Sequence, residues 1–506
     1  MSRILSSFFS RIFPWIVLVH ALTFIAFWLT NSLFYASTND YLADMLGRRL
    51  DYVSLLIWVS AFIALWSLIR IILSYIGKTY KLAVLFSWLY GFISLIYILF
   101  FYGGFMLLFS ESPVQLVRIG QLLGYFRIIP DSLLLAGLAL LIAFLLRNTL
   151  RKRNLAGVKS NWTALILAVI VYAALWSLPL IFPPEAVVRG SLPAKPRIIA
   201  HRGASMLAPE NTLISASKAA GMGVYGLETD IQISLDGELF LLHDDTFDRT
   251  TDVKSVFPGR ENEPAGDFTL AEISQLNAGK WFVEQDPFHA ISQGLVTPEQ
   301  VMEYEQQVVP VLADWLDIVH QNHLAFIFDL KAPAENHPYA ASFFEIAFNQ
   351  IHQAGIDPLV WYLVDEVQLQ MVRNLAPEMK PAFGADYQSP PAASDLKNEG
   401  YQMVNVEYGI DRRFIPQYQD ANLWVNLYTV DEPWQFSRLW SMGVDSITTS
   451  NAQVMDALDH PIFSLPYSPY ALIWTLVGIL GLGLIVGLVV PLVKPRPVLP
   501  AFPAKS

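Results

Sequence analysis

Between Arg197 and Thr251, ionisable residues recur at the ends of short apolar runs. His201 and Arg202 close RIIAHR, Glu228 and Asp230 sit in GLETDI, and His243 follows LFLL. Apolar runs this short read as strands. Ionisable groups at strand ends are what a barrel or an open α/β sheet presents to a substrate. These residue types suit metal-assisted attack on a phosphate ester.

Glu228 and Asp230 are two apart in a strand, so their side chains share a face. Two buried carboxylates on one face repel unless a cation lies between them. A lone pair of this kind would ordinarily face water. Here Leu227, Thr229 and Ile231 mark the other face as the helix-packed one, so the carboxylates should point into a barrel. Asp329 and Lys331 repeat the spacing in FIFDLK and add a third carboxylate. An oxygen-only site suits Mg²⁺ or Ca²⁺ rather than zinc. Three carboxylates with a divalent cation leave one negative charge, and Arg202 and Lys331 turn it to one positive. A phosphodiester brings it to zero, and an arginine can fork two donors onto phosphate oxygens. His201 and His243 would share the roles of acid and base, in an order the sequence leaves open, because imidazole titrates near neutrality.

A (β/α)₈ barrel would position such groups. Strands are predicted at Arg197–Ala200, Gly226–Thr229, Ala325–Phe328, Val360–Val364, Pro381–Phe383, Met403–Val406, Trp424–Tyr428 and Ser446–Thr448. Helical patterns such as Asn211–Gly221 and Val309–His320 fall between them, which argues for a parallel sheet. The stretch from Arg197 to Pro461 is about 265 residues, near the ~250 of a TIM barrel. One connection differs. Between Asp230 and His243 there is no room for a crossover helix, and Asp236-Gly237 is a hairpin turn. The chain should turn there and return His243 to the carboxylates. Asp252–Gln307 is polar and rich in Gly, Pro and Asn, and reads as an insertion above the barrel mouth.

The rest of the 506 residues is apolar enough to lift the hydrophobic content to 54%. Runs near Ile12–Thr30, Val53–Ile76, Leu82–Phe101, Ile128–Leu146, Trp162–Phe182 and Ala471–Val493 could each cross ~30 Å of hydrocarbon. The predicted organisation is a membrane region over 1–185 with about five helices, a barrel over 192–461, and a last membrane helix with a basic tail over 468–506. Six spans place Arg3, Arg11, Arg70, Lys78, Lys81, Arg147, Arg151, Lys152, Arg153, Lys159, Lys494, Arg496 and Lys505 on one side. Arg48, Arg49, Arg118 and Arg127 fall on the other. The basic side should be cytoplasmic, with both termini there and the barrel outside. Gly483 and Gly487 offer a small-residue face for packing on another helix. The net charge of −11 argues against nucleic acid as a partner. Cysteine is absent, which excludes disulfides, zinc–thiolate sites and a thiol nucleophile.

HRG followed by PENT, then ETD, HDD and DLK, resembles the glycerophosphodiester phosphodiesterase family, and NLYTVDEPWQFSRLWSMGVDSITTS is similar to its C-terminal stretch. The resemblance runs from Arg197 to about Met455. It implies a barrel related to that of bacterial phosphoinositide-specific phospholipases C. It also implies divalent-metal-dependent cleavage of glycerophosphodiesters to glycerol 3-phosphate and an alcohol. His201 and His243 match the family's catalytic pair, Arg202 its phosphate contact, and Glu228 and Asp230 its metal ligands. Glu210, in PENT, matches a carboxylate near the metal, as a ligand or a support for one. Three positions depart from the family: Asp329 stands for the usual glutamate, Tyr428 for tryptophan and Ser450 for aspartate. Two rival readings are a phospholipase D-type enzyme acting on lysolipids in the bilayer, and a non-catalytic transport or sensor protein whose barrel only binds. Apolar residues near Trp281, Phe282 and Phe288 would favour the first.

Overall fold

The computed structural model describes residues 13–30, 50–76, 89–99, 120–122, 124–152, 158–364 and 366–493, with Tyr35, Thr38, Asn39, Leu42 and Arg48. It divides into two compact units, Pro193–Ile462 and the pair Met1–Leu192 with Phe463–Ser506.

The first unit is a closed barrel. Its strands are β1 (Arg197–His201), β2 (Gly226–Ile233), β4 (Ala325–Leu330), β5 (Val360–Leu363), β6 (Lys380–Ala385), β7 (Met403–Glu407), β8 (Trp424–Tyr428) and β9 (Ser446–Thr449). All eight neighbouring pairs are parallel, and β1 closes the ring by pairing with both β2 and β9. Each predicted strand is present, several a residue or two longer. β2 runs on to Ile233 because β3 (Leu239–Leu241) pairs back on it antiparallel. Asp236-Gly237 makes the turn between them. Gly237 takes a φ of +91°, and the Tyr339 ring occupies the space a side chain would need.

Period-two alternation carries a core layer up into a polar layer. Ile199, Ala325, Ile327, Trp361, Ala382 and Met403 pack together, with Tyr225 and Trp424 beside them. Two residues further along the same strands stand His201, Asp329 and Asn405, with Leu363 and Gly384 between them. The β7–β9 side holds a buried polar network instead. Asn426 Nδ2 donates to Asn405 Oδ1 (2.7 Å) and Thr448 Oγ1 (2.9 Å), and Ser446 Oγ donates to Asn426 Oδ1 (2.7 Å). Each of these buried groups has a partner, as burial demands.

The predicted insertion differs from an open polar loop. It folds into short helices at Val253–Val256, Leu270–Ile273, Lys280–Gln285 and Pro298–Tyr304. Capping boxes at Thr269 and Thr297 start the second and fourth of these. Trp281, Phe282, Ala290, Val296 and Tyr304 are buried with Leu207 and Ala208, so the apolar residues of this stretch make a small core.

The second unit contains helices at Phe13–Thr30, Tyr52–Ile76, Ile128–Lys152, Val158–Ile181 and Tyr467–Val493, with a further helical stretch over 89–99. Among the described residues, Tyr52–Leu73 and Tyr467–Gly487 are long and apolar enough to cross a membrane, and the other apolar helices are shorter. The last helix packs on Val158–Ile181 through Gly478 and Gly481, where any side chain would collide with Trp176 or Tyr172. Trp176 Nε1 donates to the Trp474 carbonyl (3.0 Å) and Trp474 Nε1 to that of Trp176 (2.7 Å). At Gly483 and Gly487, the predicted packing face, no atom of the described residues stands within 4 Å of where a Cβ would be. Arg3, Arg11, Arg49, Lys78, Lys81, Arg118, Arg153, Lys494, Arg496 and Lys505 lie outside the described residues, as do parts of the first and third predicted spans.

Candidate active site

The chain leaves β1 through a tight left-handed turn. Arg202 and Gly203 take φ values of +55° and +79°. A Cβ on Gly203 would strike the Ser215 hydroxyl and stand 2.6 Å from its backbone carbon, so only glycine fits. The turn aims the Arg202 backbone N–H at Glu228 Oε2 (3.0 Å) and its guanidinium at Glu210 Oε1 (2.9 Å). Arg202 Nε lies 3.2 Å from Asp230 Oδ2.

Register brings the acids together. Glu228 lies beside His201 across β1–β2, and Asp230 beside Asp329 across β2–β4. His201 Nε2 is 3.8 Å from Glu228 Oε2. Its Nδ1 is 3.0 Å from Ser450 Oγ. Asp230, almost fully buried, accepts from Asn211 Nδ2 (3.1 Å), which is itself held by Thr229 Oγ1 (2.8 Å). Lys331 donates to Asp329 Oδ2 (2.6 Å) and lies 3.6 Å from Asp230 Oδ1. His243, returned by the hairpin, sets Nδ1 2.7 Å from Asp244 Oδ1.

Burial governs the charges here. It pushes His201 down to about 3, helped by the Arg202, His243 and Lys331 charges, so the imidazole is neutral at ordinary pH. Burial and the Asp230 charge push Glu228 well above the usual carboxylate range. Burial works against ionisation of Glu210 and Asp244 too, but Arg249 outweighs it. Glu210 is held below its usual range and Asp244 down to about 2. Burial would lower Lys331, yet its bond to Asp329 raises it.

The donor chemistry fits a hard divalent cation: oxygens only, with Glu228 strained by a like charge that a cation would offset. Of the three carboxylates expected at the centre, Glu228 and Asp230 share a face of β2 and Asp329 stands beside Asp230 in register. Among the described residues no three His, Asp or Glu side chains converge in a geometry that could hold a metal. Asp329 is half exposed and turned onto Lys331, so Lys331 faces a carboxylate here. Glu210 is enclosed by two arginines. A cavity of about 490 Å³ opens at the other ends of the strands, around Trp361, Trp424 and Asp445. Its carboxylate, Asp445, is taken up by the Val425 amide (2.9 Å), and no histidine lines it.

Arg249, Asp244, Asn211 and Ser450 join the site without having been chosen as site residues from sequence. Asn211 and Asp244 belong to motifs already conspicuous, PENT and HDD. Arg249 lies six residues beyond His243, a separation that signals nothing without the fold. Of the apolar residues that would favour a lysolipid substrate, Trp281 and Phe282 are buried with Leu207 and Ala208, and Phe288 packs against the same cluster.

Residues 201–454, half of the chain, match the model of the glycerophosphoryl diester phosphodiesterase family. The chain is 38% identical over 323 residues to glycerophosphodiester phosphodiesterase domain-containing protein 5 of Gallus gallus, covering 63% of this chain and 52% of that one. It is 36% identical over 310 residues to the glycerophosphoinositol inositolphosphodiesterase GDPD2 of Mus musculus, covering 60% and 56%. It thus spans about half the length of the curated relatives it matches. A solved phosphodiesterase from Oleispira antarctica, in complex with the product sn-glycerol-3-phosphate, is 23% identical with a TM-score of 0.43, over 52% of this chain and 96% of that one.

Proposed function

The chain belongs to the glycerophosphoryl diester phosphodiesterase family, and from that we propose that it hydrolyses glycerophosphodiesters to glycerol 3-phosphate and an alcohol. The observation that carries the reading is the meeting of His201, Arg202, Glu228, Asp230 and His243 at one end of the barrel. In the proposed mechanism His201, kept neutral by burial, takes at Nε2 the proton of the attacking hydroxyl, the glycerol's own neighbouring one, and water then opens the cyclic phosphate so formed to glycerol 3-phosphate. Ser450 at Nδ1 sets its orientation. His243 gives a proton to the departing alkoxide from Nε2, since Asp244 holds Nδ1. Arg202 and Lys331 meet the phosphate oxygens, released in part from their carboxylate partners.

A divalent cation, Mg²⁺ or Ca²⁺, held by Glu228 and Asp230 with Asp329, would supply Lewis-acid polarisation of the phosphoryl oxygen. Large apolar side chains exposed on Tyr52–Leu73, such as Trp58 and Phe62, support a membrane-anchored protein. The basic clusters support a multi-pass arrangement with cytoplasmic termini and the catalytic domain outside.

The test is a panel of glycerophosphodiesters on the purified full chain in detergent, with Mg²⁺, with Ca²⁺ and with chelator. His201→Ala and His243→Ala should each lose ~10²–10⁴-fold in kcat while remaining folded. A nitrophenyl diester, whose leaving group needs no proton, should rescue His243→Ala and not His201→Ala. Losses of only a few-fold in both variants on the alkyl diester would end the catalytic reading.

A further inference from the structure

Resting on that reading, we propose that Arg249 is a positioning residue for proton delivery: it clamps Asp244 to Glu210 and so fixes which nitrogen of His243 faces the leaving oxygen. Arg249 Nη1 donates to Glu210 Oε2 (3.0 Å) and Nη2 to Oε1 (2.7 Å). Its other edge serves Asp244, with Nε on Oδ2 (2.5 Å) and Nη2 on Oδ1 (3.0 Å). The same Asp244 Oδ1 lies 2.7 Å from His243 Nδ1. The Trp281 ring lies 5.8 Å from the guanidinium carbon. Only a planar fork can grip two carboxylates at once in this way; a lysine ammonium offers a single point of charge.

His243 and Asp244 need such a device because they follow the end of β3 in irregular chain. Gln232 Nε2 pins the backbone there, through the carbonyls of Leu242 (2.9 Å) and Asp244 (2.7 Å). It does not reach the imidazole. Orientation of the ring rests on Asp244, and orientation of Asp244 rests on Arg249. Glu210 is the far anchor. Three hydrogen bonds from two arginines occupy its oxygens, which fixes it as the immobile end of the clamp.

A clamp that acts through His243 has a signature a merely structural arginine lacks: dependence on the leaving group. The full chain is assayed with an alkyl glycerophosphodiester and with a nitrophenyl diester. Arg249→Ala should lose about 10–100-fold in kcat on the alkyl diester, and less than about threefold on the nitrophenyl diester. Arg249→Lys should recover only part of the loss. The double variant with His243→Ala should be no slower than His243→Ala alone, because the two act as one unit. Asp244→Asn breaks the same link with little change of shape and should follow the same pattern if Arg249→Ala does not fold. Equal losses on both substrates, additive losses in the double variant, or a rise in KM with kcat unchanged would each overturn the clamp. If His243→Ala keeps its activity on the alkyl diester, the catalytic reading itself fails and the clamp falls with it. A damaging His243→Ala beside a harmless Arg249→Ala overturns the clamp alone.

Discussion

A proton at this site goes where burial and neighbouring charge allow it. His201 is enclosed and faces Arg202 and Lys331, and both effects keep its imidazole neutral. His243 is more open and stands on a carboxylate. The proposed division of labour between two chemically identical side chains rests on these different surroundings. Asp244 also bears on stability. Its folded value of about 2 lies below the ~3.9 of an unfolded aspartate. A depressed carboxylate contributes stability that is whole above the unfolded value and is lost as pH falls through the folded one. Glu210 is shifted in the same direction. Wild-type thermal stability should therefore fall between about pH 4 and pH 2, and Asp244→Asn should flatten that slope. An unchanged slope in calorimetry would mean the Arg249 links hold no more tightly folded than unfolded. Ser450 is a second test at this scale. Ser450→Ala removes the hydroxyl at His201 Nδ1 and should lower kcat about tenfold, while Ser450→Thr should keep most of the activity; steady-state kinetics would read both.

The elements explain why the site assembles where it does. β1 and β2 carry inward residues at every second position, so the parity that buries Ile199 also delivers His201. Beyond β1, Gly203 holds the turn that points Arg202 at two carboxylates. Gly203→Ala would force a side chain to a φ of +79° and into Ser215. The strained backbone alone costs roughly 1–2 kcal/mol, and the collision should add to it. The melting temperature should drop and kcat with it, since Arg202 moves with the turn. A variant that melts like wild type would show that the turn relaxes freely. Alternation made the eight strands, the hairpin at Asp236-Gly237 and the inward direction of Glu228 and Asp230 legible in the sequence. What alternation cannot express is pairing between remote loops. Arg249 meets Glu210 across 39 residues of chain, and Trp281 and Phe282 join Leu207 from an insertion whose composition reads as loop. The insertion's short helices rest on capping boxes and on burial that no local hydrophobic period announces. The same limit hid the turn of Asp329 onto Lys331, because two residues two apart share a face whether they bind each other or something between them.

At the scale of the whole molecule, an acidic barrel mouth and an apolar helical unit give separate tests. Glu228, Asp230 and Asp329 share one rim, and burial with mutual repulsion keeps Glu228 from ionising easily. Exhaustive chelation should abolish hydrolysis, and Mg²⁺ or Ca²⁺ should restore it; full activity after chelation would remove the metal from the proposal. The helical unit bears on placement. Tyr52–Leu73 and Tyr467–Gly487 each have the length for a span, with outward side chains such as Trp58 and Leu480 that water would not favour. Four basic clusters alternate with the predicted spans so that all fall on one side, the side that positive charge keeps in the cytoplasm. A reporter fused at the C-terminus should then be active inside the cell, and one fused after Pro193 should be active outside. The catalytic domain would meet diesters outside the cytoplasm, so intact cells should hydrolyse a diester that cannot enter them. The reverse pair of reporter signals would put the barrel in the cytoplasm, and it would do so without touching the chemistry, because the geometry of the two histidines and the carboxylates is independent of which side they face.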